Sequence, residues 1–379
     1  MLKVVNIISY LLILDRCILT ANFLFSRDKE LILIPSVAFR YRSNEIESAI
    51  NNHSSNDWTL YVQGWFFEEN RIRATLSKSA LFAIVHNIDK KRVAYFTANG
   101  KKYKTVCIDG LPHEICTKTD AHGSIKNQFQ LPNENVQNLL VTGGTYGKLE
   151  YFVSAHGEKI QTKGEIFLCD DNGISIISDI VQSYMYLFEN DHEFCHYKDD
   201  TIKITGVTSV RAVLRNTFSG EYKSVPGMSE RYRHYESYYN TTFHYLTASP
   251  DQLYPFLREF LQRERFPLGS YHMRHFTWFD MSFFQFFSSK SFIKQKTIIL
   301  KMFFQETRSR QFILFGDIFQ KDPEIYATIY RQYPERILKI FIRVPSKNLK
   351  NRLNNVFEDI PKHKWGTFCN GFDLPETFF

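Results

Sequence analysis

The sequence is poor in cysteine and has no closely spaced cysteine pair. Six cysteines are scattered over 379 residues, and none form the C-x-x-C spacing of zinc sites and redox motifs. Disulfide frameworks belong mainly to small secreted domains, not to chains of this length. The pattern argues against a zinc site and predicts reduced thiols in a cytosolic protein.

Long apolar runs are also missing. The most membrane-like stretch, Val4–Leu14, is followed at once by Asp15 and Arg16, well short of the roughly 20 residues that a spanning helix needs. A secretory signal requires small residues at a cleavage site, and the chain after this stretch offers only a poor one. We assign residues 1–29 as an N-terminal apolar segment of unclear role, and favour a buried strand or helix, or a misassigned start, over a signal peptide.

No extended block of Lys and Arg points to nucleic acid, although the formal net charge is +7. A basic excess suits an anionic partner. Hydrophobic residues make up 44% and charged residues 23% of the chain, as in ordinary soluble proteins. We therefore expect a cytoplasmic protein that binds no nucleic acid and that has a peripheral membrane surface as an optional partner.

The length allows two domains, and the first half has the pattern of short strands. Segments of β character include Trp58–Phe67, Arg92–Thr97, Tyr103–Ile108 and Leu149–Val153, and turn residues separate them. This pattern predicts an antiparallel, sandwich-like β-rich domain over residues 30–165.

The second half, residues 166–379, alternates apolar strands with helical patterns. Four short apolar runs suit buried parallel strands: Ile174–Ile180, Phe243–Ser249, Phe312–Asp317 and Ile337–Val344. Helical periodicity covers Pro250–Arg265 and Lys296–Phe304. The alternation predicts a Rossmann-like three-layer α/β domain, whose site lies where strands end in Asp179, Thr247 and Asp317.

Several short motifs in this half occur together in one order. They are Gly173–Ile180, Asp199–Thr205, Val225–Met228, Phe243–Pro250, Pro267–Arg274, Phe312–Asp317, Lys321–Tyr326 and Trp365–Phe368. In order and spacing they resemble the catalytic domain of the actin-patch-type phosphatidate phosphatases, in the haloacid dehalogenase superfamily. The resemblance covers about residues 170–370 and implies a phosphatase fold and activity.

The resemblance also implies roles for individual residues. Asp179 is the nucleophile that forms an aspartyl-phosphate, and Asp199 is the acid that protonates the leaving group. Thr247 hydrogen-bonds a phosphoryl oxygen, and Lys296 neutralises charge in the transition state. Lys294 competes for the last role, but its distance from the next strand fits the family less well. Each of these residues, taken alone, is more often structural or solvated.

A magnesium ion is the implied cofactor. Its ligands would be Asp179, Asp317 and Asp322, together with the backbone carbonyl of Asp199, since Mg²⁺ prefers hard oxygen ligands. The implied substrate is phosphatidate or another anionic phosphate monoester.

The catalytic signature is interrupted where the chemistry is most demanding. The segment Val181–Lys198 places 18 residues between Ile180 and Asp199. Without it, the aspartates of the signature would stand two positions apart, on the same side of an extended strand. The alternative alignment puts Tyr197 in the nucleophile position. We reject it, because the strand that ends at Asp179 would then be an unexplained second copy of the strand that precedes the signature.

The interruption has two explanations. Because every Val codon begins with GT and one Lys codon ends with AG, the segment has the boundaries of an in-frame retained intron. If it is present in the folded protein, it should abolish or cripple the site, since a misplacement of about 1 Å costs about a hundredfold in rate.

The leading hypothesis is therefore a magnesium-dependent phosphatidate phosphatase. The alternative is a catalytically inactive binding or scaffold protein.

Smaller departures from the family pattern concern the rim of the site. Ile318 and Phe319 replace a usual Ser-Gly pair, and Asp251 replaces a usual Trp. These changes predict a bulkier rim and leave substrate preference open. His272 and Arg274 are assigned either a structural or a substrate-facing role.

Overall fold

The computed structural model describes most of the chain between residue 28 and the C-terminus. The described residues are 28–40, 57–82, 87–109, 115–140, 147–180, 201, 203–204, 217–219, 222–275, 289–344 and 350–379. Three parts of the sequence analysis lie outside these residues: the interrupting segment Val181–Lys198, the predicted general acid Asp199 and nearly all of the N-terminal apolar segment.

The first sheet contains nine strands. They are β1 Lys29–Ile34, β2 Ser36–Arg40, β3 Trp58–Glu68, β4 Asn99–Gly100, β5 Thr105–Asp109, β6 Ile115–Lys118, β7 Ser124–Leu131, β8 Lys148–Ala155 and β9 Gln161–Cys169. The main order is β1-β3-β2-β9-β8-β5-β6, and β4 and β7 pair with β3. Buried side chains alternate with more exposed ones along these strands. In β8, the buried residues that face the core are Leu149, Tyr151, Val153 and Ala155.

The β-rich character predicted for this region is present, but a two-sheet sandwich is not shown. All nine strands belong to one hydrogen-bonded network. Most pairs are antiparallel, whereas β2 and β9 run parallel from Ser36↔Ile166 to Phe39↔Cys169.

Three helices interrupt the strands of this region, namely α1 Arg71–Phe82, α2 Lys90–Thr97 and α3 Asn133–Leu139. The strand predicted at Arg92–Thr97 is therefore wrong. Asp89 caps α2 by accepting hydrogen bonds from the backbone N–H groups of Lys91 and Arg92, and Val93 and Phe96 are buried one turn apart. The cap and this spacing outweigh the β preference of the segment.

Two cysteines are paired, contrary to the prediction of reduced thiols throughout. Strands β5 and β6 are antiparallel neighbours that place Cys107 directly opposite Cys116, and the two form a disulfide. Cys169 and Cys369 are free. Sequence spacing alone could not identify the pair, because the strand register sets the opposition.

The second sheet is parallel and contains six strands. They are β10 Ile174–Asp179, β13 Thr242–Pro250, β14 Gly269–Arg274, β15 Gln311–Asp317, β16 Ile337–Arg343 and β17 Trp365–Phe368. The order is β14-β13-β10-β15-β16-β17, which places β10 centrally. A two-stranded ribbon pairs β11 Lys203–Ile204 with β12 Lys223–Ser224.

Helices pack on both faces of the parallel sheet. They are α4 Met228–Tyr239, α5 Tyr254–Arg263, α6 Ser289–Glu306, α7 Asp322–Gln332 and α8 Lys350–Val356. Tyr232 and Phe260 share a core with Ile176, whereas Phe303 and Ile325 share a second core with Ile177. Successive residues of a strand point to opposite faces, so the two cores lie on opposite sides of the sheet. The predicted α/β class is confirmed.

The two sheets contact each other directly. The backbone N–H of Tyr271 on β14 donates to Pro35 O at 2.8 Å, and Tyr61 Oη donates to Glu306 Oε1 at 3.2 Å. Trp65 and Phe67 from β3 join the same apolar core as the first face of the parallel sheet. The domain boundary predicted between residues 165 and 166 therefore separates two parts of the chain that share a hydrophobic core.

Among the described residues, no helix combines the length and hydropathy needed to cross a membrane.

Candidate active site

Asp179 is the last residue of the central strand β10. The five residues Ser175–Asp179 are buried, because neighbouring strands flank β10 on both edges and helices cover both faces. The Asp179 side chain is 0% exposed. A carboxylate in such a position is costly unless cations or hydrogen bonds compensate it.

The neighbouring strand β15 ends in Asp317, and the following loop turns back on that side chain. Asp317 Oδ1 accepts hydrogen bonds from the backbone N–H groups of Phe319 at 2.7 Å and Gln320 at 3.0 Å. The turn leads directly into α7, whose first residue is Asp322. Asp322 Oδ2 in turn accepts from the Asp317 N–H at 3.2 Å. This loop brings the second and third carboxylates to the edge where Asp179 lies.

The three carboxylates form one buried cluster. Asp179, Asp317 and Asp322 each offer an oxygen, and these oxygens all lie within 4.8 Å of one another. The exposed fractions of the three residues are 0%, 1% and 0%. The structure thus brings together three of the four predicted metal ligands. The fourth, Asp199, lies outside the described residues.

Lys296 reaches this cluster from the middle of α6. Its Nζ atom lies 3.2 Å from Asp179 Oδ1 and 2.5 Å from Asp322 Oδ1, and the residue is 0% exposed. Its competitor Lys294, on the same helix, is exposed. The geometry therefore brings Lys296, and not Lys294, to the carboxylates.

Burial and charge act in opposite directions on these groups. Burial raises the pKa of Asp179, against the effect of the Lys296 ammonium and the Gln320 amide. Burial, reinforced by the Asp179 charge, raises the pKa of Asp322 to about 6, against Lys296. Burial lowers the pKa of Lys296, but the surrounding carboxylates outweigh it and raise the pKa overall. One ammonium therefore compensates the acidic cluster only in part.

Gln320 is a site residue that the sequence did not reveal. It is 2% exposed. Its Nε2 donates to Asp179 Oδ2 at 3.1 Å and also to Asp317 Oδ2. Its Oε1 has no hydrogen-bond partner within the described residues. A single glutamine in a loop gives no sequence pattern, and only its place between Asp317 and Asp322 could have drawn attention to it.

Thr247 and Thr201 stand near the ends of their segments. Thr247 follows Leu246, which pairs with Asp179 in the parallel register, and its Oγ1 accepts from the Ser249 N–H at 3.1 Å. Thr201, within the second half of the signature, is 0% exposed, and its Oγ1 has no partner in the described part of the chain. The role of Thr247 stays a prediction.

The residues of the predicted rim differ in position. Ile318 is 2% exposed and belongs to the second core cluster, so it fills the core and the rim prediction is wrong for it. Asp251 is also buried, and its carboxylate contacts His275 Nδ1 at 2.7 Å.

His272 bonds Ser270 Oγ at 2.9 Å inside the sheet, which favours the structural assignment. Arg274 donates to Ser291 Oγ at 3.0 Å.

The donor set fits a small divalent cation. All three acidic side chains supply hard oxygen atoms, which Mg²⁺ prefers. Three carboxylates against one ammonium leave a formal excess of two negative charges, which one divalent ion would neutralise. The buried cluster is therefore chemically suited to magnesium.

The carboxylate–lysine cluster lies at the carboxyl ends of the parallel strands, which is where ligands bind in open α/β sheets. Residues 198–344 match the family model "Phosphatidate phosphatase APP1, catalytic domain". The resemblance inferred from the motifs is thereby confirmed for this part of the chain. The match begins at the final residue of the interrupting segment and leaves Asp179 outside it.

Two curated proteins are similar over about half of the chain. Phosphatidate phosphatase APP1 of Saccharomyces cerevisiae is 29% identical over 219 residues, which are 54% of this chain and 33% of that protein. The uncharacterized protein C29B5.04c of Schizosaccharomyces pombe is 31% identical over 183 residues, or 47% of this chain and 26% of that protein. The similarity thus spans a third or less of each relative.

A solved structure, XAC1771, a carbohydrate acetylesterase from Xanthomonas citri, is also similar. The match covers 82% of this chain and 65% of the acetylesterase chain, with 10% sequence identity and a TM-score of 0.27. So low a score supports no inference about fold or activity.

Proposed function

We propose that the chain is a magnesium-dependent phosphatase that hydrolyses a phosphate monoester, phosphatidate to diacylglycerol, through an aspartyl-phosphate at Asp179. The observation that carries this proposal is the buried cluster of three aspartates and Lys296 at the carboxyl edge of a parallel sheet. The match of residues 198–344 to a phosphatidate phosphatase catalytic domain supports the substrate class. The unit would be a Rossmann-like phosphatase domain of the haloacid dehalogenase superfamily.

In this mechanism a carboxylate oxygen of Asp179 attacks phosphorus while the bond to the glycerol oxygen breaks. Asp199 donates its proton to that leaving oxygen. Water then attacks the phosphorus of the acyl phosphate, which releases inorganic phosphate and regenerates Asp179. Thr247 would orient a phosphoryl oxygen by a hydrogen bond.

Lys296 supplies fixed positive charge where negative charge accumulates on the phosphoryl oxygens. Its ammonium is buried and already directed at Asp179, so little reorganisation is needed at the moment of reaction. A bound magnesium ion, held by Asp179, Asp317 and Asp322, would supply further charge neutralisation.

Gln320 acts as a positioning residue in the same proposal. One amide nitrogen bridges the carboxylates of Asp179 and Asp317, which limits the rotation of both side chains. Its Oε1, which has no partner within the described residues, remains able to accept a hydrogen bond from water or substrate.

A membrane surface is the natural location of such a substrate. The formal net charge of +7 favours approach to anionic lipid, and we propose peripheral association from the cytoplasm.

A catalytically inactive binding or scaffold protein is the second candidate function. Its support is the 18-residue separation of Asp179 from Asp199. The ion pairs of Lys296 with Asp179 and Asp322 also satisfy these carboxylates in part without any metal.

One experiment separates the two functions. The chain is expressed with and without Val181–Lys198, and phosphate release from phosphatidate is measured with and without Mg²⁺. Activity in the deletion form that Asp179→Asn abolishes supports the enzyme. Folded protein without activity in both forms supports the scaffold.

The origin of the interruption has its own test. Transcript reads that run uninterrupted through the codons of Val181–Lys198 would remove the retained-intron explanation, whereas spliced reads that join the codons for Ile180 and Asp199 would support it.

A further inference from the structure

A cavity of about 490 Å³ lies at the junction of the two sheets. It is lined by β2, β3 and β7 of the first sheet, by β14 of the second sheet and by helix α6. Its volume falls within the roughly 300–1,000 Å³ of small-molecule sites. None of the residues that line it belongs to the carboxylate cluster.

The larger part of the lining is apolar. Val37 and Val62 contribute from the first sheet, and Met273, Ile299 and Met302 contribute from the second. Methionine side chains adapt to irregular ligand shapes because they are unbranched and polarizable. Such a lining favours an aliphatic chain over a polar metabolite.

The polar part of the lining carries charge of one sign. Lys126 is exposed on β7. No Asp or Glu lines the cavity, and the remaining polar groups include the amides of Gln63, Asn127 and Gln128. His272 stays neutral near pH 7, because burial lowers its pKa to about 4. The charge therefore complements an anionic group at Lys126.

We propose that this cavity binds a single-chain anionic amphiphile. The aliphatic chain would lie against Val62, Ile299 and Met302, with its carboxylate or phosphate head at Lys126. The proposal goes beyond the phosphatase activity, since binding here requires neither Asp179 nor a metal.

The test measures binding of the fluorescent fatty acid cis-parinarate to the full chain, in EDTA and below the critical micelle concentration. We expect saturable fluorescence that oleate displaces. Asp179→Asn should bind the probe as the wild type does, so failure of the phosphatase proposal would leave this one standing. Absence of saturable binding by the folded wild type overturns it.

Two variants address the two parts of the ligand, each with a matched control. Ile299→Trp places an indole ring in the cavity and should weaken binding by at least about tenfold, whereas Ile298→Trp, on a neighbouring residue that is 56% exposed, should not. Lys126→Glu should weaken oleate binding by about tenfold, whereas Lys102→Glu, at another exposed lysine, should not.

Melting curves establish that each variant is folded, and Lys126→Glu, on the surface, keeps the test valid if Ile299→Trp does not fold. Wild-type affinity in both Ile299→Trp and Lys126→Glu overturns the proposal. Displacement by neutral mono-olein as strong as by oleate also overturns the anionic assignment. Comparison of oleate with oleoyl lysophosphatidate then distinguishes a carboxylate head from a phosphate head.

Discussion

At the residue scale, Lys296 is the point where burial and charge are most closely balanced. Its ammonium is fully buried and contacts two carboxylates. Removing one partner from such an arrangement is costly, because the other charges stay buried without compensation.

Lys296→Met should therefore lower activity by about 10²–10³-fold and the metal-free free energy of unfolding by about 3–5 kcal/mol. Lys294→Met is the matched control, since Lys294 is exposed on the same helix, and should change stability by less than about 0.5 kcal/mol. Urea unfolding in EDTA and a phosphate-release assay provide the measurements. Equal effects of both substitutions would contradict the assignment of Lys296.

Asp317 offers a test of metal binding that does not depend on activity. Asp317→Asn keeps an oxygen for the Phe319 and Gln320 N–H groups and removes one negative charge from the cluster. We expect the stabilisation by added Mg²⁺ to disappear. Thermal melts with and without Mg²⁺ measure the effect. A wild-type Mg²⁺ shift in this variant would exclude Asp317 as a ligand.

At the scale of elements, the close approach of α7 to β15 sets the cluster geometry. A Cβ atom at Gly316 would lie 2.7 Å from Asp322 Cβ and 2.8 Å from the Tyr326 ring, which is closer than real contacts allow. Glycine is needed here because the strand packs directly on the start of the helix.

Gly316→Ala should displace Asp322 and reduce Mg²⁺-dependent stabilisation and activity by at least about tenfold, although every proposed ligand is retained. Gly366→Ala on β17 is the control, because a Cβ there would meet Phe341 at an ordinary 3.5 Å. Titration of the melting temperature with Mg²⁺ compares the two variants. Equal Mg²⁺ responses would show that the cluster tolerates the shift.

Strands β10, β13 and β14 share a buried chain of hydrogen bonds. His244 contacts Ser175 Oγ at 3.0 Å and Ser270 Oγ at 2.8 Å, and Ser270 Oγ contacts His272 at 2.9 Å. Burial lowers the pKa of both histidines, that of His272 to about 4. The unfolded chain therefore takes up protons, near pH 6.5, that the folded chain excludes.

These two histidines should therefore contribute a loss of stability as the pH falls from about 6.5 towards 4. In His272→Gln the dependence of the unfolding free energy on pH should be shallower in this range, whereas His156→Gln, at an exposed residue, should keep the wild-type slope. Urea unfolding at a series of pH values checks this. An unchanged slope in His272→Gln would show that this histidine is protonated in the folded state.

Four of the six parallel strands, β10, β13, β15 and β16, could be predicted from sequence to within one residue at each end. Ile174–Ile180 was expected and Ile174–Asp179 is observed, and Phe312–Asp317 corresponds to Gln311–Asp317. Continuous apolar runs that end in a polar residue are a strong signal, because both faces of such strands are buried.

Other features depend on contacts that no local pattern carries. The Cys107–Cys116 disulfide follows from strand register. Helix α2 follows from a cap at Asp89 that competes with β preference. Gln320 enters the site through a loop conformation that Asp317 organises. All three are consequences of packing, and sequence spacing does not encode them.

At the scale of the whole molecule, the two sheets share a core. Trp65, Phe67 and Tyr95 from the first half pack in one cluster with Phe243 and Tyr245 from the second. Residues 166–379 expressed alone should therefore show exposed apolar surface and no cooperative melting transition. Dye binding and calorimetry, with the full chain for comparison, provide the test. A cooperative transition in the isolated half would instead establish an independent domain at the predicted boundary.

The ion pairs of Lys296 also bear on the order in which the protein is assembled. A pocket of three aspartates with no internal cation would oppose folding until a metal arrived. With its own ammonium inside, the chain can reach its native state first, and the proposed ion would bind afterwards. A chelator should accordingly abolish the proposed activity reversibly and leave the protein folded.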